Sequence, residues 1–528
     1  MKLTYTVEVE TRQGLRKICG SAEFAKVLHL RPELPEGKIL SAQAEVSLPC
    51  GAEERIFMNG FQSWSYCPEY TTTDKIRGLR HLPKPLVRYF GLERYGDVYF
   101  VDYPEKPGIT HGVSYGYLRD ESNYRLFASL DERPGYTLFF YDANRGKLTI
   151  RRDCAGIRCG GAYPLFDLFF AEGSEETVFD SWFEAMGIRP RTDTKIAGYT
   201  SWYNRYQKIS EQTIRDDLAG CAKVLQPGDW FQIDDGWEPF VGDWLETDKK
   251  KFPHGLRPLT EEIHSRGLKA GLWLAPFIAQ RGSKLMREHP DWLYRHEGKR
   301  WYCGSNWGGF YGLDLDNEDF RAYLWEVFRQ VFDEWGFDIV KLDFLYAIAP
   351  FGSSEETRAA RMYRAMEFLR ELCGDKLILG CGVPLFPAFG LVDYCRIGCD
   401  VGLDWNGSWL MQQTLRERPS TKQSIEDTVF RRQLSGRAWL NDPDVFILRD
   451  TNVKLTMEEK RILATVNALL GGVLFCSDDM SQYSPEISRF YRELLRLREA
   501  TDIQVHTEKG LSISYVLDGE ARQIDIGI

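Results

Sequence analysis

Two kinds of hydrophobic pattern divide the chain. Over residues 1 to about 180, apolar and polar positions alternate with a period of two. KLTYTVEVETR (2–12), DVYFVDY (97–103) and YRLFASL (124–130) each read as a half-buried strand. YTLFFYDANRGKLTIRRD (136–153) predicts a hairpin turning on Asn144-Arg145-Gly146. A helix follows at ETVFDSWFEAMG (176–187), with Phe179, Trp182, Phe183 and Met186 at helical spacing and Gly187 as its stop. IRPRTDTK (188–195) reads as a linker.

From about residue 196 short apolar runs alternate with helical periodicity. The strand candidates are IAGYTSW (196–202), DWFQIDD (229–235), LKAGLWLA (268–275), FDIVKLD (337–343), LILGC (377–381), LVDYCRI (391–397), AWLND (438–442) and GGVLFCSDD (471–479). Between them, Ser210 can cap EQTIRDDLAGCAKVL and Gly267 can end LTEEIHSR. After Asn317, a stripe of Phe320, Tyr323, Leu324, Val327, Phe328, Val331 and Trp335 closes at Gly336. Eight parallel-type strands with helical crossovers match a (β/α)8 barrel better than an open doubly wound sheet. No G-x-G-x-x-G or Walker pattern follows any of these strands, which weakens a nucleotide-binding reading. The last forty-odd residues, with LSISYVLDG (511–519), predict a small terminal sheet.

Composition narrows the partners. At 528 residues the chain exceeds one ordinary core, and 43% hydrophobic with 27% charged residues is usual for a globular protein. The 15 Trp, 26 Tyr and 31 Phe fit either a Trp-rich core or rings that stack on sugars. A net charge of −10 with interspersed signs argues against nucleic acid or an anionic membrane as the main partner. The opening MKLTYTVEVETRQG lacks the apolar segment of a secretory leader, and no run reaches the roughly 18 apolar residues of a spanning helix. The 12 Cys are scattered without a C-x-x-C, so reduced thiols in a cytoplasmic protein are expected, with no zinc site.

Candidate chemistry gathers at the strand ends, where a barrel carries its site. These are Ser201 and Trp202, Asp234-Asp235-Gly236-Trp237, Trp273, Lys341 and Asp343, Cys381, Arg396 through Asp400, Asn441-Asp442, and Asp478-Asp479. In VKLD, strand alternation puts Lys341 and Asp343 on one face, where two charges are costly unless paired or used. An Asp-Gly turn or a helix cap explains any one of these positions, but not so many converging on one rim. No H-x-H marks a metal site and no G-x-S-x-G a serine nucleophile. Carboxylates, one lysine, one arginine and tryptophans suit glycoside hydrolysis, in which two carboxyl groups flank the scissile bond. On residue type alone, Asp393, Asp400 and Asp404 remain equal candidates for one of the pair.

FQIDDGW, GLWLAPF, VKLDFLYA and YCRIGCDV, with NGFQSWS near residue 60, resemble the α-galactosidases of glycoside hydrolase family 36 over essentially the whole chain. The resemblance implies an N-terminal β-sandwich (1–187), a catalytic (β/α)8 barrel (195–483) and a small C-terminal β domain (484–528). It makes Asp343 the nucleophile and Asp400 the acid/base. Asp234 and Asp235 would take the 4- and 6-hydroxyls, and Lys341 and Arg396 would hold ring hydroxyls. Trp64, Trp202 and Trp273 would wall the pocket, with Cys381 beside the 2-position. It further implies an exo-acting, retaining hydrolase of terminal α-D-galactosyl residues that needs no cofactor or metal.

Departures from the family pattern matter. Leu345 stands where the long, oligomeric branch has Asn, so the chain resembles the shorter branch. A homo-oligomer is allowed and a tetramer is not assumed. Cys399 before the acid/base bears on fine specificity. Rival readings are an α-N-acetylgalactosaminidase, a galactosyl transferase of the raffinose-synthase type, and a non-catalytic sugar binder, the last disfavoured by intact Asp343 and Asp400.

Overall fold

A computed structural model describes residues 1–79, 82–90, 92, 101, 103–507 and 510–527. The strand expected at 97–103 lies largely outside them. The chain divides into two compact units. One comprises Met1–Arg189, Ile348–Phe368 and Pro384–Leu391; the other comprises Pro190–Ala347, Leu369–Val383 and Val392–Ile528.

In the first unit, two antiparallel sheets enclose one apolar core. Lys2–Thr11 pairs with both Gly14–Glu23 and Glu33–Ser47, and the sheet continues through Lys147–Arg152, Thr137–Asp142 and Ile109–Val113. The second runs Val27–Leu30, Phe166–Gly173, Asn123–Ser129, Tyr115–Asp120, Arg55–Met58 and Glu69–Tyr70. Val7, Val9, Phe139 and Ile150 of the first sheet share a core with Ile56, Leu118, Phe127 and Leu168 of the second. That is the face-to-face packing of a β-sandwich. The hairpin forms as expected, with Asp142 opposite Lys147. The helix Glu175–Met186 is capped by Ser174, ends at Gly187 (φ 66°), and buries Phe179, Trp182 and Phe183. The Trp182 indole donates to the Ser129 carbonyl at 2.8 Å, satisfying its one polar atom inside the core.

In the second unit, all eight apolar runs become parallel strands, paired in chain order. They are β1 (Ile196–Thr200), β2 (Trp230–Ile233), β3 (Lys269–Leu274), β4 (Ile339–Leu342), β5 (Leu377–Gly380), β6 (Tyr394–Arg396), β7 (Leu440–Asp442) and β8 (Val473–Cys476). Nearly every residue in them is buried, which is why they read as apolar runs rather than alternating ones. β8 pairs with β1, and the remaining gap is bridged by the Gly472 amide donating to the Asn441 carbonyl at 2.8 Å and by a parallel bridge between Phe446 and Cys476. The sheet thus comes close to a closed barrel. The predicted caps are present: Ser210 forms a capping box with Thr213, and Asn317 caps Glu318–Arg329.

The β3–β4 connection carries elements that alternation did not reveal. Ile278–Gln280, Tyr302–Gly304 and Phe310–Gly312 form a three-stranded antiparallel sheet, and Arg295–His296 pairs with Lys299–Arg300. A terminal antiparallel sheet of Thr501–His506, Ser512–Leu517 and Glu520–Asp525 clusters with this unit. Among the described residues no helix is long and apolar enough to cross a membrane.

Candidate active site

The carboxyl ends of β2, β3 and β4 build one half of the site. Asp343 follows β4 directly, and its amide extends the ladder to the Leu274 carbonyl at 2.9 Å, so strand geometry fixes its backbone. Its Oδ2 accepts the Trp273 indole N–H at 3.1 Å, and its Oδ1 accepts the Phe344 amide at 2.8 Å. Phe344 holds a left-handed φ of 54°, a strained conformation for an aromatic residue directly after the carboxylate. Burial raises the Asp343 pKa; Lys341, Trp273, Cys381 and the Phe344 amide pull against it without cancelling the rise.

Lys341 does share a face with Asp343, but its ion pair is elsewhere. The ammonium donates to Asp234 Oδ2 at 3.0 Å, both side chains being buried. Asp234 raises the Lys341 pKa despite burial, which alone would lower it. The same Asp234 oxygen accepts from Gln232 at 3.1 Å, and the Asp234 amide donates to Ser201 Oγ at 2.9 Å. β1 and β2 therefore hold this carboxylate rigidly.

Asp235 points to a different set of partners. Its Oδ2 accepts from Gln207 and from the Trp307 indole, each at 2.8 Å. Gly236 makes the turn possible: it sits at φ 117°, and a Cβ there would meet the Gln207 backbone at 2.9 Å. Glu238, also buried, lies beside Asp235, and its Oε2 accepts the Gly236 amide at 3.3 Å. Burial drives the Glu238 pKa well up, and the neighbouring Asp235 adds to it. Trp307, from the inserted sheet, also packs edge-on against Phe344 at 5.2 Å and lies 6.2 Å from Trp273.

β6 and β7 supply the other half. Arg396 is buried and spreads its guanidinium over three carboxylates: Asp400 at 3.0 Å, Asp442 at 3.2 Å and Asp444 at 2.7 Å. Asp400 is the exposed member, with 45% of its side chain open to solvent against 1% for Asp444. Asp444 also accepts the Tyr203 hydroxyl and the Val401 amide, the latter at 2.8 Å. Cys381, buried at the end of β5, lies in the field of Asp343, Arg396, Lys341 and Asp400, and so joins the two halves.

Nine of the ten expected side chains therefore belong to the barrel unit. Trp202 begins the short helix after β1, with its ring edge-on to Tyr206 at 5.2 Å. Trp64 belongs to the N-terminal unit, half-buried in the turn that follows Phe61. The three candidate aspartates now separate. Asp393 precedes β6, at its opposite end, and is engaged by Arg370 and the Ile378 amide. Asp404 closes a turn onto the Gly407 amide. Only Asp400 meets Arg396. Asp478 is structural, accepting the Leu448 amide and pairing with Arg449 at 2.7 Å. Residues that carried no distinguishing signal are Tyr203, Gln207, Glu238, Trp307 and Asp444. No group of residues suited to a metal ion occurs among the described residues.

The melibiase family model matches residues 200–373, which contain β2 to β4 and Asp343. Curated relatives include α-galactosidase Mel36A of Lactobacillus acidophilus, 32% identical over 150 residues, and an α-galactosidase of Escherichia coli, 30% identical over 152. Each match spans 27% of this chain and about a fifth of the relative's own length. Among solved structures, the α-galactosidase TtGalA of Thermus thermophilus in complex with stachyose is 30% identical, with a TM-score of 0.72. That match covers 89% of this chain and 96% of the other. The same enzyme with p-nitrophenyl α-D-galactopyranoside gives a TM-score of 0.75 over 94% of this chain and 99% of that one, at 27% identity. The family 36 α-galactosidase AgaA of Geobacillus stearothermophilus shares the fold, with a TM-score of 0.61 at 13% identity over 97% of this chain and 79% of that one.

Proposed function

The chain belongs to glycoside hydrolase family 36, and from that premise we propose that it is an exo-acting α-galactosidase that works with retention of configuration. The observation that carries the reading is the asymmetry of two carboxylates. Asp343 is buried and pinned by Trp273 and the Phe344 amide, whereas Asp400 is open to solvent and held by Arg396.

In the first step an Asp343 oxygen attacks the anomeric carbon as the glycosidic C–O bond breaks, and Asp400 gives its proton to the departing oxygen. In the second, water attacks the same carbon, Asp400 takes its proton, and Asp343 leaves as the carboxylate. The two inversions restore the α configuration. A buried nucleophile needs compensation for its charge, and Lys341 supplies it through space while remaining bonded to Asp234. Two carboxylates held apart, Asp234 by Lys341 and Asp235 by Trp307 and Gln207, suit acceptance of the axial 4-hydroxyl and the 6-hydroxyl. The remaining donors of Lys341 and Arg396 reach ring hydroxyls. Trp202 and Trp273 wall the ring, and Cys381 flanks the 2-position.

Incubation with an aryl α-D-galactoside, followed by proton NMR of the first-formed sugar, tests this directly. Initial α-galactose is expected. An initial β-anomer would refute retention, and no release would remove the activity. The aryl α-N-acetylgalactosaminide, run alongside, should be a much poorer substrate. With melibiose and excess sucrose, free galactose should dominate over transfer products.

A further inference from the structure

The Arg396 cluster poses an electrostatic problem. A general acid must give up and regain a proton, yet the side chain bonded to Asp400 is a buried arginine that two further carboxylates also engage. Among the described residues Arg396 is the one side chain hydrogen-bonded to Asp400, so the placement of this solvent-exposed carboxyl depends on where Arg396 is held. Asp442 takes the Nε of Arg396, and Asp444 takes one terminal nitrogen at 2.7 Å, closer than the 3.0 Å to Asp400.

Asp444 does more than share the arginine. Its other oxygen accepts the amide of Val401, the residue directly after Asp400. One carboxylate thus holds both the side-chain partner of Asp400 and the peptide that follows it. Asp444 is itself fixed by the hydroxyl of Tyr203, in the short helix after β1, and adopts a left-handed φ of 73°. A non-glycine residue persists in that region where its surroundings demand it.

On the proposed hydrolytic reading, we infer that Asp444 is a positioning residue for the acid/base, engaging Arg396 so that Asp400 is oriented without being locked as its ion-pair partner. Asp442 shares the load. The group titrates well above an ordinary carboxyl, to about 6, chiefly through burial, with Asp400 and Asp442 adding to the rise and Arg396 and Tyr203 opposing it. The inference concerns proton delivery: the nucleophile half has separate hydrogen bonds, and Asp444 is not among the groups directly bonded to Asp343.

Leaving-group dependence tests it, because a 2,4-dinitrophenolate departs with little protonation and the sugar alkoxide of melibiose does not. In D444N, kcat/KM on melibiose should fall about 100-fold, within the range for lost acid catalysis, and on 2,4-dinitrophenyl α-galactoside less than about threefold. Y203F, which keeps the carboxylate and removes one of its donors, should show the same asymmetry in milder form. It carries the test if D444N fails to fold. D400N is the reference and should show the largest asymmetry. Equal losses on both substrates in whichever variant folds by circular dichroism, or no loss, would overturn the inference. A wild-type protein inactive on both substrates would instead overturn the hydrolytic reading.

Discussion

The two halves of the barrel mouth treat a carboxylate in opposite ways. Around Asp343 everything is dry: the strand ladder runs up to it, an indole and an amide bind it, and its cation is already paired with Asp234. Around Asp400 the side chain is almost half exposed, and the order lies one shell behind it, in Arg396, Asp442 and Asp444. A nucleophile must keep one position and one charge, which suits a fixed low-dielectric setting. A proton carrier must give a proton to the leaving group and then take one from the incoming water, which suits an exposed carboxyl on an anchored support. The difference in burial thus suits the roles proposed for the two carboxylates, nucleophile for Asp343 and acid/base for Asp400.

The largest expected effect breaks the dry half. D343A should lower kcat by at least about 10⁴-fold, equally on aryl galactosides and melibiose, because no leaving group relieves the loss of the covalent step. Steady-state rates with a thermal melt check it. Activity within about tenfold of wild type in a folded variant would rule out Asp343 as nucleophile.

Much of this contrast was legible before any coordinates. Buried parallel strands announce themselves as apolar runs between helix periodicities, so all eight barrel strands were readable. Alternation correctly put Lys341 and Asp343 on one face. It could not show that the lysine pairs with Asp234, 107 residues away, because that partner is set by strand order around the barrel. Nor could spacing separate Asp393, Asp400 and Asp404; that took the direction of β6, which sends Asp393 to its far end. The inserted sheet that carries Trp307 left little pattern, since its strands are three residues long. Asp444 stands two positions past the end of β7, and nothing local in the sequence marks its bond to Arg396.

The lysine separates charge compensation from packing. K341M removes the ammonium from between two buried carboxylates and should destabilise the barrel by about 3–5 kcal/mol, the usual effect of breaking a buried pair. Lys341 lowers the Asp343 pKa, so its loss lets that pKa rise further. Asp343 must be ionised to attack, so the acid limb of kcat/KM should move to higher pH. A pH profile on an activated aryl galactoside reads this nucleophile term. An unmoved limb would show that the dry half does not rely on Lys341 for its charge.

A milder test concerns recognition. W307F keeps the ring against Phe344 and deletes the indole donor to Asp235. A hydrogen bond to a charged group contributes about 1.5–3 kcal/mol, so KM for galactosides should rise roughly tenfold or more, with kcat changed less. A fall in kcat at constant KM would place Trp307 in transition-state stabilisation instead.

The smallest expected effect on activity comes from outside the barrel, and it isolates burial as the variable. Glu132 in the N-terminal unit is fully buried, accepts from Ser114 Oγ and the Thr137 amide at 3.0 Å each, and among the described residues has no counterpart of the Lys341–Asp234 pair bonded beside it. Burial pushes its pKa up to about 8, against the pull of those donors and of Arg152. Between the ordinary carboxyl range and 8, the folded state therefore holds a proton that the unfolded state has lost. Stability then falls as pH rises through that window and levels off above it. E132Q removes the titration while keeping the shape of the side chain. Its melting temperature should vary less between pH 5 and 8 than that of the wild type, with the wild type losing on the order of a few kcal/mol across the interval. Galactoside turnover should be unchanged. Parallel melting curves for the two proteins would mean that burial alone does not hold a carboxyl protonated in this chain, and the dry setting of Asp343 would then owe its raised pKa to something other than desolvation.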